Sequence, residues 1–499
     1  MLARKVFASS AIFSISRFAG RGLDIFAALV MARFLSPADF GVVTLGLAAL
    51  MILESFSELP VADALVREKE LRRAHLDTAF TLSFLRGIAI AAVLILASYP
   101  MALIYDDQRL VLLICLLALA PLAKGLLSPL MVKFTREVNY QPTAIIDVTS
   151  RIVAFVLAVI CAWWTESYLS LVVLSVTPQV IQAVVTYIWA PYRPRFCLSE
   201  TRTILSFAGM VTISRVLATL SSESDRFLIG GFISKSALGF FSMGRSVATT
   251  ASWAVAMPLI TVLYPGLSKV RDDEPRFRRS YLRGQAMVVM AIMPLSLTLA
   301  LLAEPLVRLG LGEEWMEVVP VMRALALVGT VATLSMPAQA IALTLNQPRQ
   351  LIWREAATLI VSLPTVVLGA IYYGLMGAVM GRVLASLIHT IMSLEMVSRL
   401  SGITIMKQIT NVWRTIVASA VFSLFLYFAA EHLTGGEWLY QLLALAVTGI
   451  IGVAIFAATH LVLWKLSGSP DTGPEHFAIE QVQHMLSRFR KPKSDPARS

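Results

Sequence analysis

The sequence predicts an all-α polytopic membrane protein of about fourteen transmembrane helices, built as two pseudo-symmetric six-helix lobes with two helices appended. Three observations predict it. The chain of 499 residues is 57% hydrophobic and only 15% charged, whereas soluble domains carry about 25% charged residues. Apolar runs of spanning length, ~20 residues, recur from end to end, and none alternates with the period of two that a membrane β-barrel needs. The third observation is an internal repeat. At an offset of 198 residues, Ser14-Ile15-Ser16-Arg17 falls on Thr212-Ile213-Ser214-Arg215, and Phe34-Leu35-Ser36 on Phe232-Ile233-Ser234. Gly41 and Gly46 fall on Gly239 and Gly244, with no gap. A repeat this long means two structurally equivalent halves.

Length and apolarity place the spans at about 6–34, 39–65, 76–104, 109–132, 141–164, 168–190, 203–233, 238–264, 280–303, 317–345, 351–373, 376–398, 408–432 and 438–465. The repeat continues beyond the first hairpin. Leu85-Arg86-Gly87 is echoed by Leu282-Arg283-Gly284, Pro100 by Pro305, and Asn139-Tyr140-Gln141-Pro142 by Asn346-Gln347-Pro348. Each half therefore holds six helices. An even number returns the chain to its starting side, so the halves are parallel about an axis along the membrane normal. This gives an N-terminal lobe over 1–200, a C-terminal lobe over 201–402, two further helices over 403–466 and a polar cytoplasmic tail over 467–499.

Charge in the connections sets the orientation. Arg4 and Lys5 precede the first span, and Arg67, Lys69, Arg72 and Arg73 follow the second. Further cations follow every even-numbered span through the twelfth, among them Lys133, Arg193, Lys269, Arg349 and Arg399. The opposite connections, around 36–38, 105–107, 165–166, 313–314 and 431, are nearly bare of Lys and Arg. The positive-inside rule then puts both termini in the cytoplasm. The first apolar run is too long and too polar for a cleaved signal and is read as retained. Positive-inside loops also account for most of the formal charge of +11, so any case for an anionic ligand rests on cations inside the spans.

Those cations are few. In the first span Ser10, Ser14, Arg17, Arg21 and Asp24 step by three and four and so form one polar stripe. The second copy keeps the stripe as Thr212, Arg215, Thr219, Ser222 and Arg226. A charge at mid-span costs about 2.5–3.5 kcal/mol, and it normally faces a cavity or a partner. Arg21 has Asp24 at i+3 as a possible partner, whereas Arg17 and Arg215 have no acid at three or four residues. Lys124 stands isolated among Leu and Ala in the fourth span, between Pro121 and Gly125. Arg86 reaches towards the same space from the inner side, and Arg151 pairs with Asp147 four residues before it. Arg17, Arg21, Lys124, Arg215 and Arg86 are thus the candidate ligand-binding residues. The acids Asp24, Glu54, Glu223 and Asp225, with Arg226, are candidates for cation coupling or charge balance; Glu58 shares a face with Glu54. His389 reads as a satisfied interior histidine.

Several classes are excluded or unsupported. Cys115, Cys161 and Cys197 form neither a disulfide framework nor a metal spacing. There is no phosphate loop, no H-E-x-x-H and no G-x-S-x-G. The reading is therefore a non-enzyme with no cofactor and no nucleic-acid partner.

Longer motifs carry a resemblance. They are Arg33-Phe34-Leu35-Ser36-Pro37-Ala38-Asp39-Phe40-Gly41 and its echo Asp225-Arg226-Phe227-Leu228-Ile229-Gly230 with Leu238-Gly239-Phe240. Leu263-Tyr264-Pro265-Gly266-Leu267-Ser268-Lys269 and Gly312-Glu313-Glu314-Trp315 with Pro320 complete the set. In these the chain resembles the polysaccharide (O-antigen and exopolysaccharide) flippases of the multidrug/oligosaccharidyl-lipid/polysaccharide exporter superfamily, of the colanic acid and succinoglycan type. The resemblance covers roughly 1–430. It implies two lobes in a V, alternating access, and a polyprenyl-diphosphate-linked oligosaccharide as cargo, with membrane lipid and other polysaccharide-assembly proteins as partners. The family often has Tyr where Phe40 and Phe240 stand, a difference of packing. A drug exporter of the same superfamily is the alternative; its cavity should be acidic and aromatic. A membrane-embedded polymerase would need a longer catalytic loop than any present here.

Overall fold

A computed structural model describes residues 2–57, 61–68, 70–202, 210–431, 433 and 438–468. The side chains of residues 2–15, 17, 62, 63, 67, 210 and 211 lie outside that description. Among the described residues the regular structure is helical throughout. The helices are α1 (Leu2–Met31), α2 (Pro37–Phe56), α3 (Val61–Arg67), α4 (Arg73–Ile104), α5 (Arg109–Leu117), α6 (Leu119–Gly125), α7 (Val132–Arg136), α8 (Gln141–Thr165) and α9 (Leu169–Trp189). The second half continues with α10 (Met210–Phe232), α11 (Lys235–Ser268), α12 (Glu274–Leu301), α13 (Ala303–Gly310), α14 (Val318–Ala332), α15 (Ala338–Thr344) and α16 (Pro348–Ser401). The chain ends in α17 (Ile405–Thr410), α18 (Trp413–Ala430) and α19 (Trp438–Leu466).

Among the described residues ten helices are long and apolar enough to cross a membrane, or eleven when the pair 109–125 and 129–136, bent by 55°, counts as one span. The expected fourteen is larger for physical reasons. α1 and α10 carry the charged stripes, so hydropathy alone does not admit them. α16 is 54 residues long and contains two helices, joined at Gly374 with φ 61° and ψ −143°. That left-handed backbone needs glycine. The two arms touch closely enough that a Cβ on Gly369 would lie 2.1 Å from the Gly377 carbonyl oxygen.

The repeat is visible in the helix starts. α2 begins at Pro37 and α11 at Lys235, the same offset of 198. Ser36 caps α2 in a capping box with Asp39, and Ser234 caps α11 by accepting from the Ala237 amide at 3.0 Å.

Large apolar side chains such as Leu96, Ile104 and Ile450 point outward. On a soluble protein they would form an aggregation-prone surface, but on a spanning bundle they face lipid tails. Trp163, Trp164, Tyr372 and Tyr373 stand exposed at the cation-poor end, where amphipathic rings sit at the membrane–water interface.

The core is distributed unevenly along the bundle. One large apolar cluster joins both halves near the cation-poor end: Leu45, Leu94, Leu113 and Leu117 meet Ile229, Leu238, Phe241, Trp315 and Met322. Towards the cation-rich end each half has its own small cluster. Leu65, Leu76, Ala79 and Val132 form one, and Leu267, Phe277, Tyr281, Leu351 and Val397 the other. Among the described residues the shared apolar packing of the two halves lies at the cation-poor end. The appended α18 and α19 join the bundle through Phe422 and Phe456, beside Leu302. After α9 the chain runs back along α4: Tyr192 donates to Asp77, the Cys197 amide donates to Thr81 Oγ1 at 3.0 Å, and Phe196 rests against Phe80 and Phe84.

Candidate functional site

Between the elements of the N-terminal half lies a cavity of about 630 Å³, within the range of about 300–1,000 Å³ typical of ligand sites. Each lining helix contributes its cation-rich half. α2 supplies Glu54, α4 supplies Phe80, Ser83 and Arg86, and α6 supplies Pro121 and Lys124. Asp147 and Arg151 come from α8, Gln179 and Gln182 from α9, and Ser16 from α1.

The cavity holds cations, but they are not bare. Lys124 Nζ lies 3.2 and 3.3 Å from the two carboxylate oxygens of Glu54. Arg86 donates to Ser57 Oγ at 3.2 Å and to the Glu54 carbonyl at 3.3 Å. Arg151 binds Asp24 on α1 through contacts of 2.5 and 2.6 Å and Asp147 on its own helix at 3.2 Å. The expected i+4 pair of Arg151 is therefore present, and a second carboxylate joins it from another helix. Gly20 makes this possible. A Cβ there would sit 3.2 Å from Arg151 Nε, so glycine lets α1 cross α8 at close range.

This geometry corrects one expectation. Asp24 is held by Arg151, and among the described residues Arg21 is in no ion pair. Arg21 and Arg215 are not among the cavity's lining residues. Arg215 is exposed, and the side chain of Arg17 lies outside the described residues, as does Glu58. Lys124, Arg86 and Glu54 are brought together in one place.

The C-terminal half carries a second set of buried charges. Arg226 pairs with Glu223 on the same helix at 2.5 Å. Asp225, fully buried, lies 3.3 Å from Arg382 on α16 and accepts from Ser362 Oγ at 3.2 Å. Arg245 on α11 donates to the Ser222 carbonyl at 2.5 Å and, among the described residues, has no ion pair. Three guanidinium groups thus face two carboxylates. The repeat does not point to Arg245 and Arg382, because neither lies on the duplicated stripe. The criterion that singles out Lys124, an isolated cation inside a span, singles out both when applied to α11 and α16. His389 is indeed satisfied: its Nε2 lies 3.5 Å from Glu355, which also holds Arg354 at 2.5 Å.

Above both charge clusters the cation-poor end is sealed. Trp315, buried to 1% exposure, donates from its indole to the Ala32 carbonyl at 3.0 Å. Phe40 from α2 and Phe240 from α11 meet its ring edge-on at centroid distances of 5.0 and 6.1 Å. Arg33 donates to the carbonyls of Gly310, at 3.1 Å, and Leu309, and Tyr105 donates to the Phe227 carbonyl at 3.2 Å. The helices α2 and α11 cross at the seal. A Cβ on Gly41 would lie 1.9 Å from the Lys235 carbonyl oxygen, and one on Gly239 would lie 1.9 Å from that of Pro37. Beside them Arg109 binds Asp39 at 3.0 Å and Asp107 at 2.9 Å. Burial raises the Asp107 carboxyl, but the hydrogen bonds and charge of Arg109 outweigh it and hold the group below its ordinary value. Among the described residues no cluster of His, Cys, Asp and Glu is arranged to hold a metal ion.

An all-helical spanning bundle, duplicated, closed at one end and hollow with internal charge at the other, is the architecture of an alternating-access membrane transporter. Comparison with known proteins agrees at the level of fold. The chain is similar to the solved lipid II flippase MurJ in an inward closed conformation (TM-score 0.70, 12% identity, 91% of this chain and 99% of that one). It is also similar to an inward-facing multidrug resistance transporter of the MATE family (TM-score 0.55, 13% identity, 78% of this chain and 98% of that one). Residues 30–320 match the family described as polysaccharide biosynthesis protein, and the chain belongs to that family. Among curated proteins it is 21% identical to the lipopolysaccharide biosynthesis protein WzxC of Escherichia coli (strain K12), over 79% of this chain and 81% of that protein. It is 22% identical to the succinoglycan biosynthesis transport protein ExoT of Rhizobium meliloti (strain 1021), over 95% and 94%.

Proposed function

We propose that the protein is a flippase that moves a polyprenyl-diphosphate-linked oligosaccharide from the cytoplasmic to the outer leaflet of the inner membrane during polysaccharide biosynthesis. The observation that carries the proposal is the charged cavity, confined to the cation-rich half of the bundle beneath a closed seal. In this reading the cation-rich end, with both termini, faces the cytoplasm. The sugar head cannot cross hydrocarbon, because each unsatisfied hydroxyl costs several kcal/mol. A polar chamber removes that cost while the lipid tail stays in the bilayer. Arginine and lysine suit the diphosphate, arginine through its bidentate fork. The residues assigned to it are Arg17, Arg21, Arg86, Lys124 and Arg215, with Arg245 added from the C-terminal half. Asp24, Glu54, Glu223 and Asp225 each hold a cation, so charge balance is their role in the resting state. No bond is made or broken in this cycle. The other polysaccharide-assembly proteins would act on the cargo before and after it.

The names of the relatives support this reading, since WzxC and ExoT are named for lipopolysaccharide and succinoglycan biosynthesis and MurJ as a flippase. The test is transbilayer movement of a fluorescent polyprenyl-diphosphate oligosaccharide in proteoliposomes. Movement that depends on the protein is the expected result. Transport of a cationic dye with no movement of the lipid-linked sugar would establish the drug-exporter alternative instead.

A further inference from the structure

The cavity's cations differ in how firmly they are held. Arg151 is gripped by two carboxylates from two helices. Arg86 is bonded to a hydroxyl and a main-chain carbonyl. Among the described residues Lys124 has one partner, Glu54, and both side chains keep open surface, 45% and 28% of their area. The backbones behind this pair are fixed. A Cβ on Gly87 would lie 2.5 Å from the Pro121 carbonyl oxygen, and one on Gly125 would lie 2.7 Å from that of Ser83, so α4 and α6 are in direct backbone contact. The Glu54 main chain is tied to Arg86. Only side-chain rotation is needed to part the pair.

We infer that Glu54 is a built-in competitor for the phosphate of the ligand. It occupies Lys124 while the cavity is empty, and an incoming phosphate must displace it. A tethered carboxylate acts at an effective concentration on the order of millimolar or above. A small free anion, with few contacts besides Lys124, loses to it. A ligand that adds bonds to Arg86 and to the polar lining through its sugar overcomes it. Glu54 therefore sets a threshold that rejects inorganic phosphate and pyrophosphate, which is specificity by a repulsive element. The assignment of the phosphate to a lipid-linked sugar rests on the function proposed above, but the competition itself requires only an anion.

The test is calorimetric titration of the full-length protein in detergent with inorganic pyrophosphate. Glu54→Gln keeps the shape and removes the charge, and it should bind pyrophosphate at least about tenfold more tightly than wild type. Adding Lys124→Gln should abolish the gain. Glu54→Asp, one methylene shorter, should give an intermediate gain and serves if Glu54→Gln does not fold. A folded Glu54→Gln that binds no more tightly than wild type overturns the inference, as does a gain that survives Lys124→Gln. The proteoliposome assay separates this result from the function. A calorimetric gain without flipping by wild type refutes the flippase and leaves the competition standing. Flipping without the gain does the reverse.

Discussion

Arg151 holds one carboxylate from α1 and one from α8, and removing it leaves both without their cation. A fully buried pair broken from one side costs about 3–5 kcal/mol. Here the partners are 53% and 27% exposed, so Arg151→Ala should cost about 1–3 kcal/mol after solvent screening. Asp147→Asn keeps the bond to Asp24 and should cost less than about 1 kcal/mol. Thermal melting of the two variants in detergent checks the order. The stripe arginines are tested by function. Arg17→Ala with Arg215→Ala should abolish flipping while insertion and expression are unchanged, and Arg17→Lys should recover only part, since lysine loses the bidentate fork. Each lost charged hydrogen bond would weaken headgroup binding by about 1.5–3 kcal/mol, or ~10–100-fold. Wild-type flipping in the double variant would mean that these arginines are structural. The pairing of Arg151 with Asp147 was legible from sequence because both lie on one helix at i+4. The contacts of Lys124 with Glu54 and of Arg151 with Asp24 were not, because they join residues 70 and 127 apart and depend on which helix faces meet. For the same reason internal cations could be found in the sequence, but whether each was free could not.

The helices α2 and α11 form the seal, and their crossing has no room for a side chain. Gly41→Leu should prise the cation-poor end apart. A cysteine at Ala32 should then become reactive from that side, and one at Ser83 in the cavity should become less so, if the two ends alternate. Unchanged reactivity at both would show that the crossing is not the closure point. The Arg109 clamp beside it sets a pH response. The Asp107 carboxyl is held below its ordinary value, so its contribution to stability is present above the unfolded value of 3.8 and is lost only as pH falls through the lower folded one. Between about pH 7 and 5 the seal should therefore show no response from this pair. Arg109→Gln should lower stability across that whole window, by about 1 kcal/mol because the pair is partly exposed. The starts of the two helices at Pro37 and Lys235 keep the repeat offset and lie two and three residues before the spans expected from 39 and 238. The bend after Gly125 and the merging of two helices through Gly374 were not legible in the sequence, because hydropathy measures length and apolarity and is blind to direction.

For the whole molecule the orientation remains a prediction. Single cysteines placed at Arg72 and Arg278 in a cysteine-free background should resist an impermeant reagent applied to intact cells and react once the cells are opened. Labelling of either from outside would invert the reading. The twofold plan was written in the sequence, because duplication leaves matching residues. The depth of the joint was not. It depends on one apolar cluster shared by the two halves near the cation-poor end and on separate clusters towards the other, which only the assembled bundle displays.

The paired glycines at the seal also define the symmetry of the joint. Gly41 meets the backbone of Lys235, and its repeat mate Gly239 meets the backbone of Pro37, itself the repeat mate of Lys235. A reciprocal contact of this kind is the signature of an isologous interface, the kind formed by two copies of one chain about a twofold axis. Within one chain the seam thus has the geometry of a homodimer interface, each repeat presenting the same patch to the other. Each contact uses only the carbonyl oxygen of Pro37 or Lys235, so different side chains serve at those two positions, while both glycines are required because nothing larger fits.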